Sequence, residues 1–357
     1  MVVTGLDQLA QTDFATRSGP PFGVLVNQAS ITRDCRHVLE VLKSPRLAAI
    51  FGPQHGLFGH TQDNMIEWEG EGRVYSLYGA HREPTDEMLA GLELMVVDLP
   101  DIGSRYYTFA WTMALMMKAC ERKGIPVLVL DRPNPIDGVT VEGPILDPTY
   151  ASFVGLHPLP IRHAMTLGEL ARHFRDLYYP SVTLTVVDVQ GWDRKDRFRQ
   201  TGLPWAMPSP NMPTPETALV YPGGCLLEGT QLNEGRGTTR PFEIFGAPYL
   251  SRVELERELN ALRLPGVVFR GIEFQPTFHK FSGEVCSGCF VHVADEDAFR
   301  PVQTYADIIW TCARLSAGKF EWRQPPYEYE YEKMPMDLLW GSPALRTAVD
   351  RGERLVL

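Results

Sequence analysis

The sequence lacks an excess of basic residues, a long apolar run and a dense set of cysteines. Its 357 residues include 34 Lys and Arg against 44 Asp and Glu, which gives a formal net charge of −10. A nucleic-acid-binding face needs concentrated basic residues, so no nucleic-acid partner is expected. No apolar run reaches the roughly 20 residues that a membrane-spanning helix needs. Residues 1–7 show no basic stretch before an apolar core, so no signal peptide is expected.

The six cysteines are scattered rather than clustered, at Cys35, Cys120, Cys225, Cys286, Cys289 and Cys312. This spacing is not typical of a disulfide-stapled scaffold. Cys286 and Cys289 form a C-x-x-C pattern, but no partner pair follows at metal-ligand spacing, and the residues after Cys289 favour a strand. We therefore expect buried thiols, no bound metal and a cytoplasmic location, with an exported mature form as the alternative.

Several catalytic signatures are also missing. The chain has no G-x-G-x-x-G, G-x-x-x-x-G-K-[ST], G-x-S-x-G or H-E-x-x-H pattern. These absences argue against a dinucleotide-dependent dehydrogenase, a P-loop NTPase, an elbow-type serine hydrolase and a zinc protease. No cofactor is expected.

Short apolar runs alternate with helical patterns in the first half of the chain. The runs cover residues 22–27, 47–51, 94–98 and 126–131, and the helical patterns cover residues 32–42 and 108–123. Continuous apolar runs suit strands that are buried on both faces of a parallel sheet. The alternation predicts a doubly wound, mostly parallel α/β domain. The patterns over residues 251–315 indicate a second, smaller α/β unit.

Glycine and proline are frequent, with 31 Gly and 29 Pro, and many follow predicted strands or lie in residues 202–246. Ligands of open α/β sheets bind beyond the carboxyl ends of the strands, so we expect the site there. The loop after the second run carries Gln54, His55, Asn64 and Glu67. These residues could supply acid–base groups beside Trp68, or they could form a solvated loop over the sheet edge.

The loops after the third and fourth runs hold Asp101, Arg105, Arg132 and Asn134. The planar guanidinium of Arg105 suits a ligand carboxylate, although an Asp–Arg pair could equally hold the loop. Asn134 could present its amide to a ligand or cap the next segment.

A fourth cluster follows later in the chain and is rich in glycine, threonine and arginine. It contains Glu234, Arg236, Thr238 and Arg240. The glycines beside Arg236 allow close backbone approach to a ligand, whereas the alternative is an exposed turn.

Many motifs occur in a fixed order along nearly the whole chain: Thr4-Gly-Leu-Asp7, Gly52-Pro-Gln-His-Gly56, Tyr75-Ser-Leu-Tyr-Gly79, Asp101-Ile-Gly-Ser-Arg-Tyr-Tyr-Thr108, Leu130-Asp-Arg-Pro-Asn-Pro135, Val141-Glu-Gly-Pro144, Met165-Thr-Leu-Gly-Glu-Leu170, Pro208-Ser-Pro-Asn-Met-Pro213, Tyr221-Pro-Gly223, Leu227-Glu-Gly-Thr230 and Glu234-Gly-Arg-Gly-Thr-Thr-Arg-Pro-Phe-Glu243. Together they resemble the family of NamZ-type exo-β-N-acetylmuramidases. The resemblance implies a Rossmann-like N-terminal domain (residues 1–222), a smaller C-terminal α/β domain (residues 223–357) and an active-site cleft between them. The implied activity is release of N-acetylmuramic acid from the non-reducing end of peptidoglycan-derived glycans, with a disaccharide or muropeptide as substrate.

One position departs from the family pattern. Many members carry Glu, the leading catalytic candidate, where this chain has Gln54, and an amide cannot transfer the proton that glycoside cleavage requires. Gln54 could mark a natural subgroup in which Glu67 or Glu69 supplies the acid, an engineered change, or a branch that binds without hydrolysing. The coherent loop over residues 62–69 favours the first explanation.

We therefore expect Glu67 as the acid and Asp101 as the nucleophile or base, with these other catalytic candidates: Gln54, His55, Glu142 and Glu234. The expected substrate-binding residues are Asn64, Arg105, Tyr106, Arg132, Asn134, Asn211, Arg236, Thr238 and Arg240. An arginine would suit the lactyl carboxylate of N-acetylmuramic acid. The rival hypotheses are a non-catalytic amino-sugar-binding protein and a glycosidase that prefers another amino sugar.

Overall fold

The computed structural model describes residues 1–57 and 73–357. The strands in these ranges are β1 (Phe22–Val26), β2 (Leu47–Gly52), β3 (Val74–Ser76), β4 (Leu94–Asp98), β5 (Val127–Leu130), β6 (Glu142–Ile145), β7 (Pro160–Arg162), β8 (Leu184–Val187), β9 (Ile244–Ala247), β10 (Val267–Phe274) and β11 (Cys286–Val293). The α-helices are α1 (Gly5–Leu9), α2 (Val38–Val41), α3 (Phe109–Lys123), α4 (Leu167–Leu177), α5 (Phe198–Thr201), α6 (Pro215–Gly224), α7 (Arg252–Ala261), α8 (Pro301–Leu315), α9 (Pro335–Trp340) and α10 (Ala344–Asp350).

The chain forms two compact units. The first comprises Met1–Gly103, Tyr107–Thr140 and Ala164–Pro215, and the second comprises Ser104–Tyr106, Val141–His163 and Glu216–Leu357. Two short segments from the first half of the chain therefore belong to the second unit. The predicted boundary after residue 222 stays a prediction, since a single cut point does not describe these crossings.

The first unit is built on a six-stranded sheet with the order β3-β2-β1-β4-β5-β8. Each adjacent pair of strands is parallel. The chain first moves outward from β1 to β3 and then returns to place β4 on the other side of β1. The strand order therefore reverses between β1 and β4, which creates a crevice at their carboxyl ends. The predicted doubly wound α/β domain is confirmed.

The helix predicted over residues 32–42 is wrong in its first half. The Thr32 hydroxyl accepts the N–H of Arg36 at 3.0 Å and donates to Asp34 at 2.5 Å, and Cys35 has a φ of 63°. This turn, fixed by side-chain hydrogen bonds, competes with helix formation, so only α2 is helical. The helix predicted over residues 108–123 is confirmed as α3.

The second unit contains an antiparallel sheet with the order β10-β11-β9, against which α7 packs. Asn260 of α7 donates to the Phe269 carbonyl at 2.8 Å and accepts its N–H at 3.0 Å. An amide side chain thus satisfies backbone groups on the outer edge of β10, which would otherwise be open to pairing with another strand. The predicted smaller α/β unit is confirmed.

Cys286 and Cys289 lie in β11 and are buried, in agreement with the predicted strand. Burial raises the pKa of the Cys286 thiol to about 11 and that of Cys289 to about 12, so both stay protonated at neutral pH. Among the described residues, no group of three or more His, Cys, Asp or Glu side chains is placed to hold a metal ion. In the same ranges, every helix is too short or too polar to cross a membrane.

A buried ion pair ties the C-terminal residues to α8. Asp307 in α8 is fully buried, and Arg354 contacts its two carboxylate oxygens at 2.5 and 3.0 Å. Gln303 adds a hydrogen bond to the same carboxylate at 3.0 Å. Loss of the arginine would leave an uncompensated buried charge, which proteins tolerate poorly.

The substitution Arg354→Met should lower the free energy of unfolding by about 2 kcal/mol. The loss should be smaller than for a fully enclosed pair because the Arg354 side chain is 34% exposed. Urea unfolding at neutral pH measures this change. The exposed neighbour Arg351 provides the control, since Arg351→Met should change stability by less than about 0.5 kcal/mol. Equal losses in the two variants would contradict a specific role for the pair.

Candidate active site

Gln54 lies in the segment after β2, and its side chain is fixed by the start of α3. Gln54 is buried, and its Oε1 accepts a hydrogen bond from the hydroxyl of Thr108, the N-cap residue of α3, at 2.7 Å. His55 follows with a φ of 70°, a left-handed conformation that costs energy for a residue other than glycine. Because the Thr108 hydroxyl contacts Oε1 of Gln54, the two N–H groups of the Gln54 amide remain for other partners. Asn64 and Glu67 lie outside the described residues.

A buried ion pair joins the loops after the three central strands. Asp98, the last residue of β4, accepts hydrogen bonds from Nε and Nη2 of Arg132 at 2.5 and 2.8 Å. Nη2 also donates to the Ile31 carbonyl at 2.9 Å, and the Ser30 hydroxyl donates to the Asp98 carbonyl. The bidentate pair thus links the loops that follow β1, β4 and β5.

Asp101 follows β4 and is buried. Its Oδ2 accepts the N–H of Gly103 at 2.7 Å. A Cβ at Gly103, which has a φ of 78°, would lie 2.6 Å from Oδ1 of Asn134, so this loop packing requires glycine. Burial raises the pKa of the Tyr107 phenol, and the charge of nearby Asp101 raises it further. Asp101 and Tyr107 are therefore neighbours in the first unit.

The remaining polar residues after β5 hold backbone groups. Asp131 accepts hydrogen bonds from the Thr166 hydroxyl at 2.8 Å and from an N–H in the first turn of α4 at 2.7 Å. Burial raises the pKa of Asp131 to about 6. Asn134 donates to the Met165 carbonyl at 2.9 Å and accepts the N–H of Ile136 at 3.1 Å. These contacts favour the structural alternative for Asn134.

The strand-end loops border a cavity that lies within the first unit and is partly open to solvent. Its walls include Ile31, Pro100, Asp101, Arg132, Pro133, Leu203, Pro204, Trp205 and Pro208. Asn27 and Gln28 fasten the segment after α5, because they donate to its backbone carbonyls at 3.2 and 2.5 Å. The cavity therefore combines apolar and proline walls with a carboxylate and a guanidinium, a lining that is typical of small-molecule sites.

Arg105 and Tyr106 belong to the second unit, where both are buried. The Arg105 guanidinium donates to three backbone carbonyls of that unit at distances of 2.6, 2.8 and 3.0 Å. Burial lowers the pKa of Arg105 to about 10. The Tyr106 hydroxyl donates to the carbonyl of Pro222. These contacts favour the structural alternative for Arg105 over a ligand clamp.

The glycine-rich motif forms a buried network of charges in the second unit. Arg236 donates to Glu228 at 2.8 Å and lies 3.3 Å from Glu234. Lys280 binds the other oxygen of Glu234 at 2.8 Å. Burial opposes ionisation of Glu234, yet the charges of Lys280, His279 and Arg236 hold its pKa below the usual range. An ionised carboxylate bound by cations is unsuited to donate a proton, which argues against Glu234 as the acid.

The other predicted binding residues differ in their exposure. Thr238 donates its hydroxyl to the carbonyl of Gly235 at 2.6 Å, inside its own loop. The Arg240 side chain is 49% exposed and lies 3.4 Å from Glu243. Asn211 is buried in the first unit, in the segment after α5.

Glu142 begins β6 and caps α8. Its Oε1 accepts the N–H of Gln303 in the first turn of that helix at 2.9 Å. Oε2 is buried and has no hydrogen-bond partner among the described residues. Burial raises the pKa of Glu142 to about 7, a property shared with general acids. Oε2 is shielded from solvent, and Oε1 contacts α8. Both observations favour a structural role for Glu142 over a catalytic one.

Three residues near the strand-end loops are not singled out by sequence reasoning. Trp205 and Arg33 line the cavity, and Thr108 binds Gln54. They come from separate segments, so no local motif marks them. Only their location in the sequence could have identified two of them, because Arg33 follows the first predicted strand and Trp205 lies in the proline-rich segment.

The substitution Glu142→Gln keeps the acceptor for α8 and removes the ionisable group. The folded pKa of about 7 exceeds the ordinary value of 4.5. The stabilising contribution is therefore fully present below pH 4.5 and is lost as the pH rises through about 7. Glu142→Gln should lack this decline. Urea midpoints from pH 4.5 to above pH 7 check it, and a constant difference from the unsubstituted protein would contradict the assignment.

Comparison with known proteins adds independent information. The family described as exo-beta-N-acetylmuramidase NamZ matches through its N-terminal part at residues 22–216 and through its C-terminal part at residues 219–356. The chain is 42% identical over 359 residues to the peptidoglycan beta-N-acetylmuramidase NamZ of Bacillus subtilis (strain 168). The alignment covers 98% of this chain and 85% of that protein.

Two solved structures share the fold, and both are DUF1343 family proteins from Bacteroides fragilis. The first has a TM-score of 0.87 and 31% identity, and it covers 98% of this chain and 91% of that one. The second has a TM-score of 0.75 and 27% identity, with coverage of 99% and 92%. The chain belongs to the exo-β-N-acetylmuramidase NamZ family, as its motifs predicted.

Proposed function

We propose that this chain is a glycoside hydrolase that releases N-acetylmuramic acid from the non-reducing end of peptidoglycan-derived glycans. The matches to both parts of the family and the Bacillus subtilis relative support this activity. The observation that carries the proposal is the cavity of the first unit. It brings together a carboxylate from Asp101, a guanidinium from Arg132 and an aromatic ring from Trp205, which suits an anionic sugar.

Asp101 is the proposed nucleophile or water-activating base. Among the described residues that line the cavity, Asp101 alone carries a carboxylate. Asp98 ends β4 and Asp131 follows β5, but the first is paired with Arg132 and the second caps α4. Both are committed to structural contacts, so neither suits the reaction.

Gln54 is proposed to bind substrate rather than to transfer a proton. Its Oε1 already accepts the Thr108 hydroxyl, so the Nε2 group can donate to a substrate oxygen. Glycoside cleavage still requires a carboxylic acid near the leaving oxygen. Glu67, in the connection between β2 and β3, is the proposed acid.

The activity is tested with para-nitrophenyl β-N-acetylmuramide and the matching N-acetylglucosaminide. We expect turnover of the muramide and little turnover of the glucosaminide. Tight binding of N-acetylmuramic acid without turnover would favour the binding-protein hypothesis. Turnover of the glucosaminide alone would favour a different amino-sugar preference.

The catalytic assignment is tested with single carboxyl-to-amide variants. Glu67→Gln and Asp101→Asn should each lower kcat for the muramide by about 100-fold or more, the usual cost of losing an acid–base group. Gln54→Glu removes the proposed donor to the substrate and should not raise kcat. Glu93→Gln is the control, because Glu93 is exposed just before β4. A strong gain in Gln54→Glu with no loss in Glu67→Gln would instead place the acid at position 54.

A further inference from the structure

The walls of the cavity in the first unit are rich in proline. Five prolines line it: Pro100, Pro133, Pro135, Pro204 and Pro208. Because proline fixes φ, these segments lose little conformational entropy when a ligand binds. The backbone of these walls is therefore restricted before a ligand binds.

Trp205 supplies a flat apolar surface in this cavity. Its ring is half-buried, and Nε1 donates to the carbonyl of Met212 at 3.2 Å. Phe198 packs edge-on against it, with ring centroids 4.8 Å apart and an interplanar angle of 86°. The ring is thus held at its polar and apolar ends while it lines the cavity, which suits stacking against the apolar face of a sugar.

Arg132 supplies a cation with an unused donor group. Its Nε and Nη2 are engaged by Asp98 and by the Ile31 carbonyl. Nη1 makes no hydrogen bond to any described residue, and the side chain, 12% exposed, lines the cavity. The ion pair with Asp98 therefore orients the guanidinium plane and leaves one edge for a ligand.

The other predicted clamp arginines are engaged elsewhere. Arg105 donates to three backbone carbonyls, and Arg236 lies between two carboxylates. Arg240 contacts Glu243 in the second unit. Arg33 also lines the cavity, but it is exposed and its Nη1 donates to the Val2 carbonyl at 3.2 Å.

We infer that this cavity is the subsite for the muramyl residue, in which Trp205 stacks on the sugar ring and Nη1 of Arg132 binds the lactyl carboxylate. The inference rests on the proposed function, because it is that activity which places a muramyl residue here. Asp101, on the same cavity, would then face the glycosidic bond. A carboxylate held beside Asp101 itself would be repelled, which places the lactyl group on the arginine side.

The test uses calorimetric binding of three ligands: N-acetylmuramic acid, its methyl ester and N-acetylglucosamine. Arg132→Lys keeps a positive charge beside Asp98 but loses the planar fork. We expect this variant to bind N-acetylmuramic acid about 10-fold or more weakly, while its affinity for the two uncharged ligands stays within about twofold. Arg36→Lys is the control, because Arg36 is exposed and pairs with Asp34.

A second variant covers the case in which Arg132→Lys does not fold. Trp205→Ala removes a half-buried ring and should weaken all three ligands by a similar factor of about 10, since stacking does not depend on the lactyl charge. Equal weakening of charged and uncharged ligands in Arg132→Lys would overturn the clamp, as would an unchanged affinity for N-acetylmuramic acid in both variants.

Binding and turnover separate the two proposals. If the muramide is not hydrolysed but Arg132→Lys loses its preference for the free acid over the methyl ester, the subsite stands and the hydrolytic function fails. If the muramide is hydrolysed but that preference is unchanged in Arg132→Lys, the function stands and the clamp is overturned.

Discussion

The buried ion pair between Asp98 and Arg132 is the interaction on which the candidate site depends. Parallel strands end at one edge of their sheet, but nothing in strand pairing fixes the loops beyond that edge. Here a fully buried carboxylate demands a partner, and Arg132 satisfies both of its oxygens while also contacting the loop after β1. Burial of Asp98 without a partner would cost free energy, so its pairing with Arg132 restricts the positions of three loops. These three loops form part of the cavity wall.

The surplus of glycine and proline acts on the same loops in two ways. Proline limits the conformations of the walls, and Gly103 allows the loop after β4 to approach Asn134 more closely than any side chain would permit. The Asn134 amide is hydrogen-bonded to backbone groups of Met165 and Ile136. Side chains that resemble ligand-binding groups in the sequence therefore serve to position the few groups that face the cavity.

The parallel sheet could be predicted from the sequence because a strand that is buried on both faces has a recognisable local pattern, a short continuous apolar run. The contacts that polar residues make after those strands have no such local pattern. Arg105 and Arg132 both follow strands, yet one binds three carbonyls in the second unit and the other lines a cavity. Their partners lie far away in the chain, so local spacing cannot separate the two roles.

The segment over residues 32–42 shows the same limit at smaller scale. Its composition permits a helix, but the hydroxyl of Thr32 offers the backbone a competing hydrogen bond, and the chain turns instead. The family resemblance, by contrast, came from many motifs in order along the chain. It therefore carried information on the whole protein that no single pattern held.

Gln54 shows how little of a site needs to change for its chemistry to change. The Thr108 hydroxyl needs only an acceptor, and the Oε1 of either Gln or Glu provides one. The hydrogen bond from Thr108 is therefore compatible with an amide or a carboxyl at position 54, although an amide cannot donate the proton that glycoside cleavage requires. What the amide adds is a pair of N–H donors at the same point. In the proposed mechanism the acid therefore comes from another residue, and the Gln54 amide donates to a substrate oxygen.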